Sequence, residues 1–111
     1  MHYRVFYYFD RSQEVLSSAS AVEMTTRAIR EQLLPRLQSV DDYLGIIDAE
    51  ENILQILCEP SRGSFWVEIP IDAAKASYGR HMSFAEMDEL IAELPRVFDQ
   101  DRIPGLAYRP W

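Results

Sequence analysis

Large aliphatic or aromatic residues occupy every second position from Phe65 to Ile71. An alternation of period two predicts a strand whose two faces meet different surroundings. One face holds only large apolar side chains and is expected to enter the core, whereas the other places the aromatic Trp66 beside the carboxylate of Glu68. The two faces are Phe65, Val67, Ile69 and Ile71 on one side, and Ser64, Trp66, Glu68 and Pro70 on the other.

Two shorter apolar segments precede this strand, at Tyr43–Ile47 and Ile53–Leu57. The connections between the three are Asp48–Asn52 and Glu59–Gly63, which are rich in residues that favour turns. The pattern therefore predicts a three-stranded β-meander, and the rest of the chain is expected to pack around it.

A further strand is predicted near the start of the chain, at Tyr3–Phe9, and it is apolar on both faces. A strand buried on one side alternates with polar residues, but here Phe6 and Tyr8 occupy the second face. This second face is therefore expected to contact another molecule or another segment of the chain.

The segment Asp10–Ser18 is read as a polar connection to a helix. Ser20 and Glu23 have the spacing of a capping box, which predicts that the helix begins there. It should end near Leu34, because the following proline cannot continue a helix without loss of a hydrogen bond.

A second helix is predicted after Ser83, where Ser83 and Glu86 again have capping-box spacing and Pro95 closes the pattern. The intervening stretch Asp72–His81 has little periodicity and is interpreted as a loop or one short helical turn. Leu106–Trp111 is long enough for a terminal strand, and Pro110 favours an edge position.

Together these elements predict a single α+β domain over residues 1–111, in the order β-α-β-β-β-α-β. One mostly antiparallel sheet of about five strands would carry two helices on one face. Its other face would then carry the second set of strand residues, Phe6, Tyr8, Ile53, Leu57 and Trp66 beside Glu68, Gln55 and Arg4.

The net charge of -7 indicates which class of partner the chain can bind. Between Asp41 and Glu59 there are six carboxylates and no base, so the surface should repel nucleic acid and anionic membranes. A basic protein is the expected partner. No segment approaches the length of a membrane span, and with a single cysteine no disulfide forms within the chain, so we expect a cytoplasmic protein.

No pattern of catalytic or metal-binding residues stands out. Cys58 falls at the end of an apolar strand and is expected to be a buried thiol rather than a nucleophile. A small enzyme that uses His81 with Arg80 and Tyr78 is the less favoured alternative. The two histidines and one cysteine lack ligand spacing, so neither a metal site nor a cofactor is expected.

The surface residues therefore predict that the chain binds a basic protein partner. Exposed aromatic residues dominate many protein interfaces, and exposed charge steers association. Two alternatives stay open: the aromatic sheet face pairs two copies in a homodimeric structural or adaptor module, or residues 72–82 or the C-terminal segment fold over it. The residues predicted to bind the partner are Trp66, Glu68, Phe6, Tyr8, Asp48, Glu50 and Glu51.

The predicted elements follow the order strand, helix, meander, helix, terminal strand, with Glu68-Ile-Pro70 after the meander and a chain end from Pro104 to Trp111. In this order and in these segments the chain resembles the immunity proteins of bacterial polymorphic toxin systems, in particular the group paired with deaminase toxins. The resemblance implies a small, cytoplasmic, non-enzymatic inhibitor that blocks the active site of a toxin. Phage-encoded inhibitors of bacterial defence nucleases are similar in size and acidity.

Overall fold

The computed structural model describes all residues 1–111 as one α+β domain, built from two layers. The sheet has eight strands rather than the predicted five, and every pairing is antiparallel. The strands are β1 His2–Phe9, β2 Glu14–Leu16, β3 Val22–Thr25, β4 Tyr43–Ile47, β5 Ile53–Glu59, β6 Ser64–Ile71, β7 Ala76–Met82 and β8 Ala107–Pro110.

The predicted meander is present as β4, β5 and β6, and it forms the centre of the sheet. Across the sheet the order is β2, β1, β4, β5, β6, β7, β8. The strand β3 pairs with β1 beside β2, so that two short strands follow the same edge of β1 in succession.

Three predicted segments need correction. Residues 72–81 are not a loop: after a short 3-10 turn at Asp72–Ala74 the chain forms β7, which pairs with β6 over seven residues. The connection Asp10–Ser18 contains β2.

The helix does not begin at Ser20 either, because Val22–Thr25 is extended as β3 and Thr25 is the true N-cap, accepting a hydrogen bond from the amide of Ala28. The first helical segment then consists of an α-helical turn at Thr26–Ala28, a π-helical stretch at Ile29–Leu33 and a 3-10 turn at Leu34–Arg36.

The second helix, Phe84–Ala92, begins at the predicted cap. Ser83 Oγ accepts from the amide of Glu86 at 3.1 Å, and the amide of Ser83 donates to Oε1 of Glu86 at 3.0 Å, so the capping box is complete. Arg30 joins the two helical segments through two hydrogen bonds of 3.0 Å to the carboxylate of Asp88.

Both helical segments cover the same face of the sheet, where a single apolar core lies. Tyr3 stacks on Phe98 with the ring centroids 5.5 Å apart, which ties the segment after the second helix to β1. No helix is long and apolar enough to cross a membrane. The most deeply buried core side chains include Val5, Ile29, Leu34, Leu44, Ile46, Leu54, Ile56, Val67, Met87, Ile91 and Ile103.

Candidate functional site

The sheet face opposite the helices, which we call the open face, has no layer packed on it. The two segments that could have covered it are β7 and β8, and both extend the sheet instead. Cross-strand register and alternation place on the open face Arg4, Phe6, Tyr8, Tyr43, Gly45, Ile47, Ile53, Gln55, Leu57, Glu59, Ser64, Trp66, Glu68, Pro70, Ser77, Gly79, His81, Ala107 and Arg109.

A row of large side chains crosses the open face from β1 to β7. Direct cross-strand pairs place Tyr8 beside Tyr43, Tyr43 beside Leu57, Leu57 beside Trp66 and Trp66 beside His81. All five are half-buried, so part of each ring or chain contacts solvent. Such a row of partly exposed aromatic and aliphatic groups can contact an apolar surface on another molecule.

Two glycines fix the aromatic rings against the sheet. A Cβ atom added at Gly79 would lie 2.5 Å from Cζ2 of Trp66, and one added at Gly45 would overlap the ring of Phe6. The rings therefore lie directly on the backbone of the neighbouring strand. Each ring covers backbone that the glycine, which has no side chain, would otherwise leave bare. The rings of the open face are therefore held in place before any partner binds.

Trp66 is the most constrained of these side chains. Its Nε1–H donates to Oε1 of Glu68 at 2.9 Å, and the guanidinium of Arg109 lies over its ring at 5.0 Å from the centroid. The ring of His81 meets it edge-on, with centroids 4.9 Å apart. Four groups thus hold one indole in place, counting Gly79 beneath it.

Four of the predicted partner-binding residues meet on the open face: Trp66, Glu68, Phe6 and Tyr8. Tyr8 also donates from its hydroxyl to Asp10 at 2.8 Å, and this hydrogen bond is the main cause of a raised pKa for Tyr8.

The three predicted residues of the hairpin turn are divided between surface and interior. Glu50 is exposed and forms no ion pair, whereas Glu51 is exposed and pairs with Arg4, at the rim of the open face. Asp48 does not present its charge at the surface, because it is only 2% exposed. Its carboxylate accepts from the amides of Glu50, Asn52 and Phe98, so it closes the turn.

A second buried carboxylate, Asp42, was not singled out by the sequence. It accepts from the amides of Asp10, Gln38 and Ser39, each at 2.8 Å. Burial alone would raise the pKa of Asp42, but these three backbone hydrogen bonds outweigh burial and lower it below its ordinary value. The central strand β4 therefore has one buried aspartate just before it and another just after it.

The residues of the enzyme alternative do not come together. On β7, His81 lies on the open face, whereas Arg80 and Tyr78 lie opposite, where Arg80 pairs with Glu86 at 2.8 Å. Cys58 is buried, and burial is the main cause of its raised pKa. No three potential metal-ligating side chains form a cluster.

Comparison with protein-family models, with curated proteins and with solved structures gave no match.

Proposed function

We propose that this chain is a non-enzymatic inhibitor that binds a basic, nucleic-acid-handling protein through the open face. The observation that carries the proposal is the uncovered aromatic sheet face. Contiguous apolar surface of this kind is uncommon on isolated domains and marks interfaces. Trp66 and Tyr8 are of the residue types that contribute most to binding energy.

The fixed position of the rings also supports binding. Ordering a mobile side chain at an interface costs about 0.5–1.5 kcal/mol, and a ring already held against the backbone avoids most of that cost. Trp66, seated on Gly79 and hydrogen-bonded to Glu68, is therefore expected to be the central anchor.

Charge favours a basic partner over a second copy of this chain. Each copy carries a net charge of -7, so two copies repel each other as they approach. Among the carboxylates, Asp41 and Glu50 are exposed and form no ion pair. These unpaired charges would accelerate association with a cationic surface.

The partner would be a toxin or a defence nuclease acting in the cytoplasm. The resemblance to immunity proteins favours a toxin, and the similarity to phage inhibitors favours a nuclease. A toxin gene next to this one would support the immunity role, and a phage operon would support the other.

The test is affinity capture from the native host with three baits: the wild type, Trp66→Ala and Phe84→Ala. Phe84 is an exposed aromatic on the second helix, on the other side of the sheet, so its truncation is the matched control. A captured protein supports the proposal if it is basic, handles nucleic acid and loses activity when the purified chain is added.

Trp66→Ala should weaken that complex by about 2 kcal/mol, roughly thirtyfold in Kd, and Phe84→Ala should leave it unchanged. Equal binding by the two variants would refute the assignment of the open face. A dimer in light scattering that Trp66→Ala converts to monomer would instead favour the self-associating module.

A further inference from the structure

One end of the open face carries two arginines that form no ion pair, although the chain as a whole is acidic. A depression of about 450 Å³ lies there, and we call it the Trp66 depression. Its polar lining is formed by Arg62, Arg109, His81 and Glu59 around the indole of Trp66.

The two arginines of this depression have no acidic partner. Six of the ten arginines form ion pairs, but Arg62 and Arg109 are not among them. Arg62 has only the imidazole of His81 within reach, with Nη1 3.2 Å from Nε2. Arg109 lies over the ring of Trp66 and has no hydrogen bond from its side chain.

The single carboxylate of the depression is already occupied. Oε1 of Glu59 lies 2.9 Å from Nδ1 of His81, and both atoms are buried with no other polar partner. Glu59 therefore faces the imidazole and does not neutralise either guanidinium, which leaves two positive charges at the mouth of the depression.

We propose that the Trp66 depression binds the phosphate group of a small molecule. Guanidinium groups match phosphate oxygens with paired, charge-assisted hydrogen bonds, and two of them flank the depression. Its volume exceeds that of phosphate alone and falls within the usual range of small-molecule sites. The rest of the volume, lined by His81, Leu57 and Val40, could hold the group to which the phosphate is attached.

A nucleic-acid strand is not the ligand, because the surrounding acidic surface repels a polyanion. The phosphate comes from one of two sources, free inorganic phosphate or a small phosphate monoester. The inference does not rest on the proposed inhibitor role, and it is tested on the isolated chain.

The experiment is a titration of the isotope-labelled chain, followed through the indole N–H signal of Trp66 and the backbone amide of His81. The probes are inorganic phosphate, adenosine monophosphate and adenosine. Phosphate and the monophosphate should shift both signals, and adenosine should not. Tighter binding of the monophosphate than of phosphate identifies the monoester as the source, and equal affinities identify the free ion.

Arg62→Gln and Arg109→Gln should each weaken binding about tenfold, since each removes one charge-assisted contact. Arg96→Gln is the control, because Arg96 is exposed, forms no ion pair and does not line the depression. The proposal is overturned if phosphate and the monophosphate cause no shift, if adenosine binds as well as its monophosphate, or if the control weakens binding as much as the two test variants.

Discussion

Replacing Gly79 by alanine tests directly how the open face is built. The new Cβ would lie 2.5 Å from Cζ2 of Trp66, whereas ordinary contacts begin at 3.4 Å. The indole must therefore move by about 1 Å, but the hydrogen bond to Glu68 and the guanidinium of Arg109 resist that movement. Forced displacements of this kind cost about 1–3 kcal/mol.

The change from glycine to alanine also has a stabilising effect, which opposes the clash. Alanine within a strand is better than glycine by about 0.5–1 kcal/mol, because it loses less backbone freedom on folding. We therefore expect Gly79→Ala to destabilise the wild type by about 1–2 kcal/mol. With Trp66 truncated to alanine the clash is absent, and the same change should stabilise the protein by about 0.5–1 kcal/mol.

The assay is urea unfolding of the four proteins of this double-mutant cycle, followed by far-ultraviolet circular dichroism so that loss of the indole does not affect the signal. The expected coupling energy is about 2 kcal/mol, with unchanged dependence on urea. If Gly79→Ala has the same effect in both backgrounds, Trp66 does not lie on the backbone of β7 and the description of the open face is wrong.

Three further predictions concern charge and capping. Hydrogen bonds lower the pKa of Asp42 in the folded state, so its stabilising effect is present above the ordinary carboxylate pKa of about 3.9 and is lost as the pH falls below that value. Asp42→Asn should lower the unfolding free energy by about 2 kcal/mol at pH 7 and flatten the acid limb of its plot against pH. An unchanged acid limb would refute this prediction. Ser83→Ala removes the acceptor for the amide of Glu86 and should cost about 1 kcal/mol in urea unfolding, whereas a change within error would mean that the cap contributes nothing. Glu50→Gln with Asp41→Asn should slow association with a basic partner several-fold at low salt in stopped-flow measurements, with little change in dissociation, and a salt-independent rate would exclude steering.

The sequence predicted the elements whose signals are local. The meander, the strand at the start of the chain and the capped second helix each carry a pattern complete within a few residues. The strand β7 has no such pattern: it contains Gly79, which disfavours strands, and its polar residues do not alternate with large apolar ones. It forms because β6, the preceding strand, offers a long partner.

The error at the first helix has a different cause. Ser20 and Glu23 have the spacing of a capping box, but Val22–Thr25 also suits an edge strand, and the pairing of Val22 with Val5 decides the outcome. Thr25, which does cap the helix, lacks the acidic residue three positions on that would have identified it.

The site was predictable in part for the same reasons. Alternation placed Trp66, Glu68, Phe6 and Tyr8 on one face, and the structure brings them to that face. Alternation does not distinguish a surface carboxylate from one that accepts backbone hydrogen bonds, so Asp48 was expected at the surface. Arg62 and Arg109 both line the Trp66 depression because β8 pairs with β7, and no spacing in the sequence records that pairing.

Two short strands, β2 and β3, form one edge of the sheet in place of a single long strand, and this limits how the protein can assemble. A long unpaired strand acts as a template for another chain, and stacks of such strands grow into fibrils. Here one side ends in two strands of three and four residues, β2 and β3, separated by the turn at Ser18–Ser20, and the other ends in the four-residue β8 with Pro110. Neither side offers a long continuous row of free amides and carbonyls, so strand addition is disfavoured at both, although an apolar face lies exposed between them.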